Sequence, residues 1–177
     1  DLVEANRFSS WFRNSRTRVY TNTDLIGVQL GGAIKNVIAI AAGVSDGLGF
    51  GSNARAALIT RGLAEMVRLG VALGGKRETF MGLAGVGDLL LTCTDDQSRN
   101  RRLGIAIANG EDVIKAANNI GQEAEVVYST EALFRKSKEL GVDAPITEQV
   151  YGVLFEGVMP TTAVENLLGR EARLETG

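Results

Sequence analysis

Apolar residues in this chain fall in long blocks, not in the strict alternation of a half-buried sheet. The longest block, Leu25 to Val44, is interrupted only by Gln29 and the adjacent pair Lys35 and Asn36. Thr23 or Asp24 offers a capping oxygen in front of it, which predicts a helix to about Ala42. That helix is apolar nearly all round and should be central in the fold. A Gly-rich stretch, "GVSDGLGFGSN", reads as a loop. A second long helix follows from about Asn53 to Leu73, stopped by Gly74 and Gly75. Arg61, Glu65 and Arg68 share one of its faces and read as a salt-bridged ladder. "ETFMGLAGVGDLLLTC" reads as short helices broken by Gly82, Gly85 and Gly87. Ser98 can cap a helix to about Asn109. Another helix covers roughly Tyr128 to Leu140 and closes at Gly141. Pro145 suits the first turn of the next. Thr162 to Glu165 fits a capping box for a short final helix.

One segment departs from this pattern. Residues 5–15 suit a helix, and "TRVYT", Thr17 to Thr21, is β-prone. A lone strand cannot satisfy its own backbone groups. Its partners are expected in a portion preceding this chain. The remainder reads as an all-α, multi-helix bundle.

Composition narrows the chemistry. The 177 residues carry a formal net charge of −2, with 45% hydrophobic and 23% charged residues. That is an ordinary globular composition, and it argues against a general polyanion binder such as a nucleic-acid protein. Histidine is absent. Its absence removes imidazole acid–base catalysis, Ser–His–Asp chemistry and histidine metal sites, and no metal is expected. Proton transfer must then run through Lys, Asp, Glu, Tyr or the single cysteine, Cys93. One cysteine permits no internal disulfide and suits a reducing, cytoplasmic compartment. The long apolar block approaches membrane-spanning length, but Lys35 at its middle favours a buried helix over a membrane span.

Three places carry chemistry-bearing residues. Lys35 lies one turn after Gly31 and Gly32, whose missing side chains leave a shallow concavity. An ammonium desolvated there could exchange a proton near neutral pH. It could equally snorkel out at a helix edge or pair with a structural carboxylate. Asp88, after two glycines, is either a helix cap or the partner that orients Lys35. "DDQSRNRR" places Ser98, Arg99 and Asn100 at a helix start, where free N–H groups, a positive dipole end and a guanidinium fork suit one phosphate. A solvated charged turn has the same pattern. "GLGFGSN" and "GLAGVGD" are turns and packing glycines, not dinucleotide fingerprints, since neither follows a strand.

Taken in order, "VYTNTDLIGVQLGGAIKNVIAIAAGVSDGLGFGSNARAALITRGLAEMVRLGVALGG", "TFMGLAGVGDLLLTCTDDQSRNRRLG" and "APITEQVYGVLFEG" resemble the helical domain of bacterial NAD(P)-dependent glycerol-3-phosphate dehydrogenase. The resemblance covers about Val19 to Gly157. It implies a bundle of the 6-phosphogluconate dehydrogenase C-terminal-like type. Residues 1–22 would be the tail end of an N-terminal Rossmann domain, and 23–177 the substrate-binding and catalytic domain. The implied reaction interconverts dihydroxyacetone phosphate and sn-glycerol 3-phosphate with NAD or NADP, feeding glycerophospholipid synthesis. Lys35 falls at the family's catalytic lysine. Asn36, Asp88 and Thr92 match substrate-contacting positions, and Ser98, Arg99 and Asn100 the segment that holds the phosphate. Arg99 also falls near the cofactor, as does Glu125 in "GQEAEV". The cofactor would be bound mainly by the Rossmann domain, so this chain should carry about half the site and be inactive alone. The apolar helices could also form a homodimer face. A different reading is a helical interaction module without catalytic residues, in which Lys35, Asn36, Asp88, Arg99 and Asn100 would not converge.

Overall fold

The computed structural model describes residues 1–120 and 125–169. These residues form ten α-helices and one π-helical turn, with no strand among them. The expected strand at Thr17–Thr21 does not form. Asn14 and Thr17 make one isolated antiparallel bridge instead. No second extended segment is placed to pair with it, and a single strand has no ladder to hold it. The segment follows α1, Leu2–Phe12, which Asp1 caps.

Helix α2, Leu25–Gly47, is the centre of the fold and runs one turn beyond the expected Ala42. It has the length and apolar content of a membrane span. Here its residues Val37 to Ser45 are buried without a break among the other helices. The supposed Gly-rich loop is mostly helical. α2 continues to Gly47 and α3, Gly51–Ala72, begins four residues later.

The N-cap of α2 is Asp24. Its Oδ1 accepts from the Gly27 N–H at 2.9 Å, and its Oδ2 accepts from the Lys76 N–H at 2.8 Å and the Thr79 hydroxyl at 2.7 Å. One carboxylate therefore starts the central helix and pins the connection from α3 to α4, Arg77–Phe80. The amide donors of Gly27 and Lys76, then the Thr79 hydroxyl, hold the Asp24 carboxyl below its ordinary value.

After α4 comes the π turn, Leu83–Gly87, then α5, Asp88–Thr94, and α6, Arg99–Ala108. Helix α6 is the most extensive neighbour of α2. The two cross backbone on backbone. A Cβ at Gly43 would overlap the Arg101 carbonyl, and one at Gly104 would lie 2.7 Å from the Val44 nitrogen. Near the crossing, Asp46 accepts Arg55 through both oxygens, at 2.9 and 3.0 Å, and the Arg101 Nε at 2.7 Å. Arg101 also donates to Asp96 at 2.7 Å.

Helix α7, Val113–Ile120, has no counterpart in the sequence reading, although Asp112 caps it through the N–H groups of Ile114 and Lys115. Helix α8, Glu125–Glu139, packs on α9, Pro145–Phe155, where Phe134, Tyr151 and Phe155 stack with centroids 3.9 and 4.8 Å apart. Helix α10, Pro160–Leu168, starts at its proline. Thr162 already lies inside it, so the expected Thr162–Glu165 capping box does not form.

The expected Arg61–Glu65–Arg68 ladder is also absent. Glu65 is fully buried. Its Oε2 accepts from the Ile146 N–H at 2.7 Å, and its Oε1 accepts from the Thr147 N–H at 2.9 Å and the Thr147 hydroxyl at 2.6 Å. The N-cap position of α9 is Ala144, which has no side-chain oxygen, and Glu65 supplies the missing acceptors from α3. Burial raises the Glu65 carboxyl above its ordinary value, against the opposing pull of these donors.

Glu65→Ala should destabilise the domain by about 2–3 kcal/mol, because three buried donors lose their acceptor. Denaturant unfolding checks this. The two carboxylates act oppositely with pH. Asp24, with its folded value lowered, contributes stability that is complete above about pH 4 and is lost as pH falls below its ordinary value of 3.8. Glu65, raised, contributes less as pH climbs above 4.5. Asp24→Asn should therefore flatten the loss of stability at the acid end, read from thermal melts between about pH 5 and 2.

Candidate functional site

An open groove of about 590 Å³ lies between α2, α5, the start of α6 and α8. Lys35, Asn36, Thr92, Ser98, Arg99 and Asn100 all line it. Asp88 stands behind Lys35 and pairs with its ammonium through Oδ2. The side chains of Lys35 and Asp88 are 20% and 35% exposed, so the pair sits at the groove edge and is not sealed in the core. Lys35 is therefore paired with a carboxylate, and the pair opens on the groove. Asp88 is the first residue of α5, not its cap.

The hydroxyl of Thr92 donates to the Asp88 main-chain carbonyl at 2.6 Å and lies 3.3 Å from its Oδ1. Its proton is committed locally, which leaves the oxygen free to accept. Ser98 caps α6 by accepting from the Arg101 N–H at 3.3 Å. The first N–H groups of that helix are left without intrahelical acceptors, as at any helix start. Arg99 is exposed, with no ion pair among the described residues, while Arg101 is spent on Asp46 and Asp96. Of the three arginines in the run, Arg99 lines the groove, Arg101 is structural, and Arg102 is exposed and is not among the groove-lining residues. Asn100 is buried, and its Oδ1 has no hydrogen-bond partner among the described residues. A buried unpaired amide in the wall of a groove is satisfied when a ligand brings the complementary group.

Glu125 is the first residue of α8, and its side chain lies outside the described residues. Gln29, Ala33, Leu91, Gln97 and Ser129 also line the groove and were not singled out from the sequence, and Asp95 of the "DDQSRNRR" cluster lines it too. Gln29 could have been. It precedes Gly32 and Asn36 by three and seven residues, on one face of α2. Ser129 comes from α8, and no local pattern ties it to the others.

The two glycines before Lys35 differ. Nothing stands within 4 Å of where a Gly32 Cβ would be, and Gly32 lines the groove. Gly31 opens no space for a ligand. Its Cβ position is filled by the carbonyl of Ala84. Cys93, the remaining candidate for proton chemistry, is fully buried in α5. Desolvation, with the nearby Asp46 charge, pushes its thiol up to about 12, so it holds its proton.

Fold and groove together define an all-helical domain with an ammonium–carboxylate pair and a helix N-terminus facing one open cleft. Residues 24–165 match the family described as NAD-dependent glycerol-3-phosphate dehydrogenase C-terminus, and the chain belongs to that family. It is 59% identical to the glycerol-3-phosphate dehydrogenase (NAD(P)+) of Thioalkalivibrio sulfidiphilus over 171 residues, which is 97% of this chain and 51% of that protein. It is 61% identical to the enzyme of the same name from Shewanella oneidensis over 161 residues, 91% of this chain and 48% of that one. The crystal structure of a glycerol-3-phosphate dehydrogenase from Coxiella burnetii superposes with a TM-score of 0.91 at 49% identity, covering 96% of this chain and 52% of that one. A Plasmodium falciparum structure, at 19% identity and a TM-score of 0.84, shares the fold. The chain spans about half the length of the curated relatives it matches.

Proposed function

We propose that this chain is the substrate-binding and catalytic half of a cytoplasmic, NAD(P)-dependent glycerol-3-phosphate dehydrogenase. The enzyme interconverts dihydroxyacetone phosphate and sn-glycerol 3-phosphate and supplies glycerophospholipid synthesis. The observation that carries this reading is the convergence of the Lys35–Asp88 pair and the α6 N-terminus with Arg99 on one groove. A module that only packs against other chains has no need of that convergence.

The residues take distinct roles. The free N–H groups and dipole of α6, with the Arg99 fork, hold the substrate phosphate. This anchors the three-carbon chain along the groove toward Lys35. The Lys35 ammonium donates a proton to the carbonyl oxygen at C2 during reduction and takes it back during oxidation. Asp88 aims the ammonium and, because it accepts only one of its three N–H bonds, leaves others for substrate. Asn36, beside Lys35 on the same groove, orients the oxygens flanking C2. Thr92 offers lone pairs to a substrate hydroxyl and holds the start of α5.

The nicotinamide supplies or accepts the hydride when bound. The fit of this chain to a dinucleotide is partial. Among the described residues no Gly-rich turn follows a strand, so the cradle for the pyrophosphate belongs to another domain. Arg99, exposed on the rim and without an ion pair among the described residues, is suited to reach the cofactor, and family resemblance gives Glu125 the same role. Residues 1–22 are read as the tail of that other domain. The exposed Phe8, Trp11 and Phe12, which share one face of α1, support this as an apolar surface suited to a cover.

Two substitutions in the full-length polypeptide test the reading. Lys35→Ala should lower kcat by about 10²- to 10⁴-fold with a much smaller change in KM, because the group acts at the transition state. An unchanged kcat excludes Lys35 as the proton donor. Arg99→Ala should weaken dihydroxyacetone phosphate by about 1.5–3 kcal/mol, as expected for a hydrogen-bonded charged contact. It should leave unphosphorylated dihydroxyacetone nearly unaffected. Steady-state kinetics with both substrates distinguish a phosphate contact from a general loss of structure.

A further inference from the structure

We propose that Gly31 is a positioning residue, and that its backbone contact with the Ala84 carbonyl sets where Asp88 meets Lys35. This goes beyond the roles given above and rests on the reading of Lys35 and Asp88 as the reacting pair. Gly31 precedes Lys35 by one turn on the same face of α2. It is buried, and a side chain there would overlap the Ala84 oxygen and stand 3.4 Å from the Ala84 carbonyl carbon. Ala84 lies in the π turn, whose last residue leads directly into Asp88. The Asp88 N–H closes that turn by donating to the carbonyls of Gly85 and Leu83.

The turn is clamped from its other side as well. A Cβ at Gly85 would overlap the main chain of Phe80, and the Phe80 ring is fully buried against Gly70. The π turn is thus a wedge held between α2 and α4, which is itself anchored on α3 through Phe80, with Asp88 at the exit of the turn. Single π turns are rare and recur at functional sites. Here the wide turn lets a carbonyl rest on α2 at Gly31 while the following residue reaches the ammonium one turn along.

A methyl group at residue 31 must drive the Ala84 carbonyl back by roughly 1 Å to reach ordinary contact. Only three residues of tightly bonded chain, Gly85 to Gly87, separate that carbonyl from Asp88, so the carboxylate moves with it. Displacements of about this size cost on the order of 10²-fold where a reacting geometry is set in advance.

The experiment is a mutant cycle in the full-length polypeptide, assayed with dihydroxyacetone phosphate and NAD(P)H, with thermal melts as the folding control. Gly31→Ala should lower kcat by about 10- to 100-fold and change KM by less than about threefold. Gly32→Ala, which intrudes on the groove itself, should chiefly raise KM. The double variant Gly31→Ala/Asp88→Asn should be within about twofold of Asp88→Asn alone, because both changes act through one carboxylate. A wild-type kcat for Gly31→Ala, or a full additive loss in the double variant, overturns the proposal. If Gly31→Ala does not fold, Phe80→Leu loosens the same wedge from its far side and enters the same cycle with Asp88→Asn. Additivity there overturns the proposal equally. Wild-type rates in Lys35→Ala and Asp88→Asn would remove the site reading and this proposal together. Impaired Lys35→Ala with normal Gly31→Ala removes only the proposal.

Discussion

A lysine ammonium on the central helix of an apolar bundle has to be met by a counter-charge or carried out to water. Helix α2 does both at Lys35. The helix is buried along Val37–Ser45, yet its Lys35 face opens on a groove and finds Asp88 from another segment. Everything around it answers to that constraint. Asp88 needs a fixed approach, so the chain before it is wedged between α2 and α4. The groove needs a floor without bulk, so Gly32 carries no side chain toward it. The half-exposed pair is neither a core salt bridge nor a surface one, and only that intermediate setting leaves an ammonium within reach of a small ligand.

The other ordered carboxylates of the core do a different job. Asp24, Asp46 and Glu65 each join elements far apart in the chain, and each accepts several hydrogen bonds. Asp24 caps one helix while fixing the entry to another. Glu65 caps a helix that has no cap of its own. Their acceptor sites are filled by the protein, which makes them structural. Among the described residues the Asp88 carboxylate accepts from Lys35 and, at 3.3 Å, from the Thr92 hydroxyl. Arginine divides in the same way. Arg101 is consumed by two carboxylates, while Arg99, two residues earlier, lines the groove without an ion pair among the described residues. Saturation of hydrogen-bonding capacity, more than charge or burial, separates the groups that hold the fold from those that face a ligand.

The same distinction marks what could be read from the chain beforehand. The central helix, its Asp24 cap and the Ser98 cap are local patterns, and local patterns survive folding. The convergence of Lys35, Asn36 and Arg99 entered through resemblance to a family. Periodicity alone could place each on a helix but not bring two helices together. Most of what failed was non-local. Glu65 has the spacing of an exposed ladder with Arg61 and Arg68, but spacing cannot say that α9 lacks a capping side chain at Ala144 and would draw the carboxylate inward. The Thr162–Glu165 box failed because Pro160 starts the helix earlier. The strand at Thr17–Thr21 failed because propensity does not supply a partner.

Gly31 and Gly32 show the limit most sharply. In the sequence they are identical neighbours, and both were read as room for a ligand. On a helix, adjacent residues point about 100° apart. That rotation sends one toward the groove and the other into the π turn. The first spares space and the second spares a collision between two backbones. A rule that assigns glycine to flexibility or to ligand access would treat them alike. What decides is the second chain segment each one meets. At Gly31 that segment ends in the carboxylate that faces Lys35, so a packing contact one turn from the ammonium is continuous with the chemistry of the site.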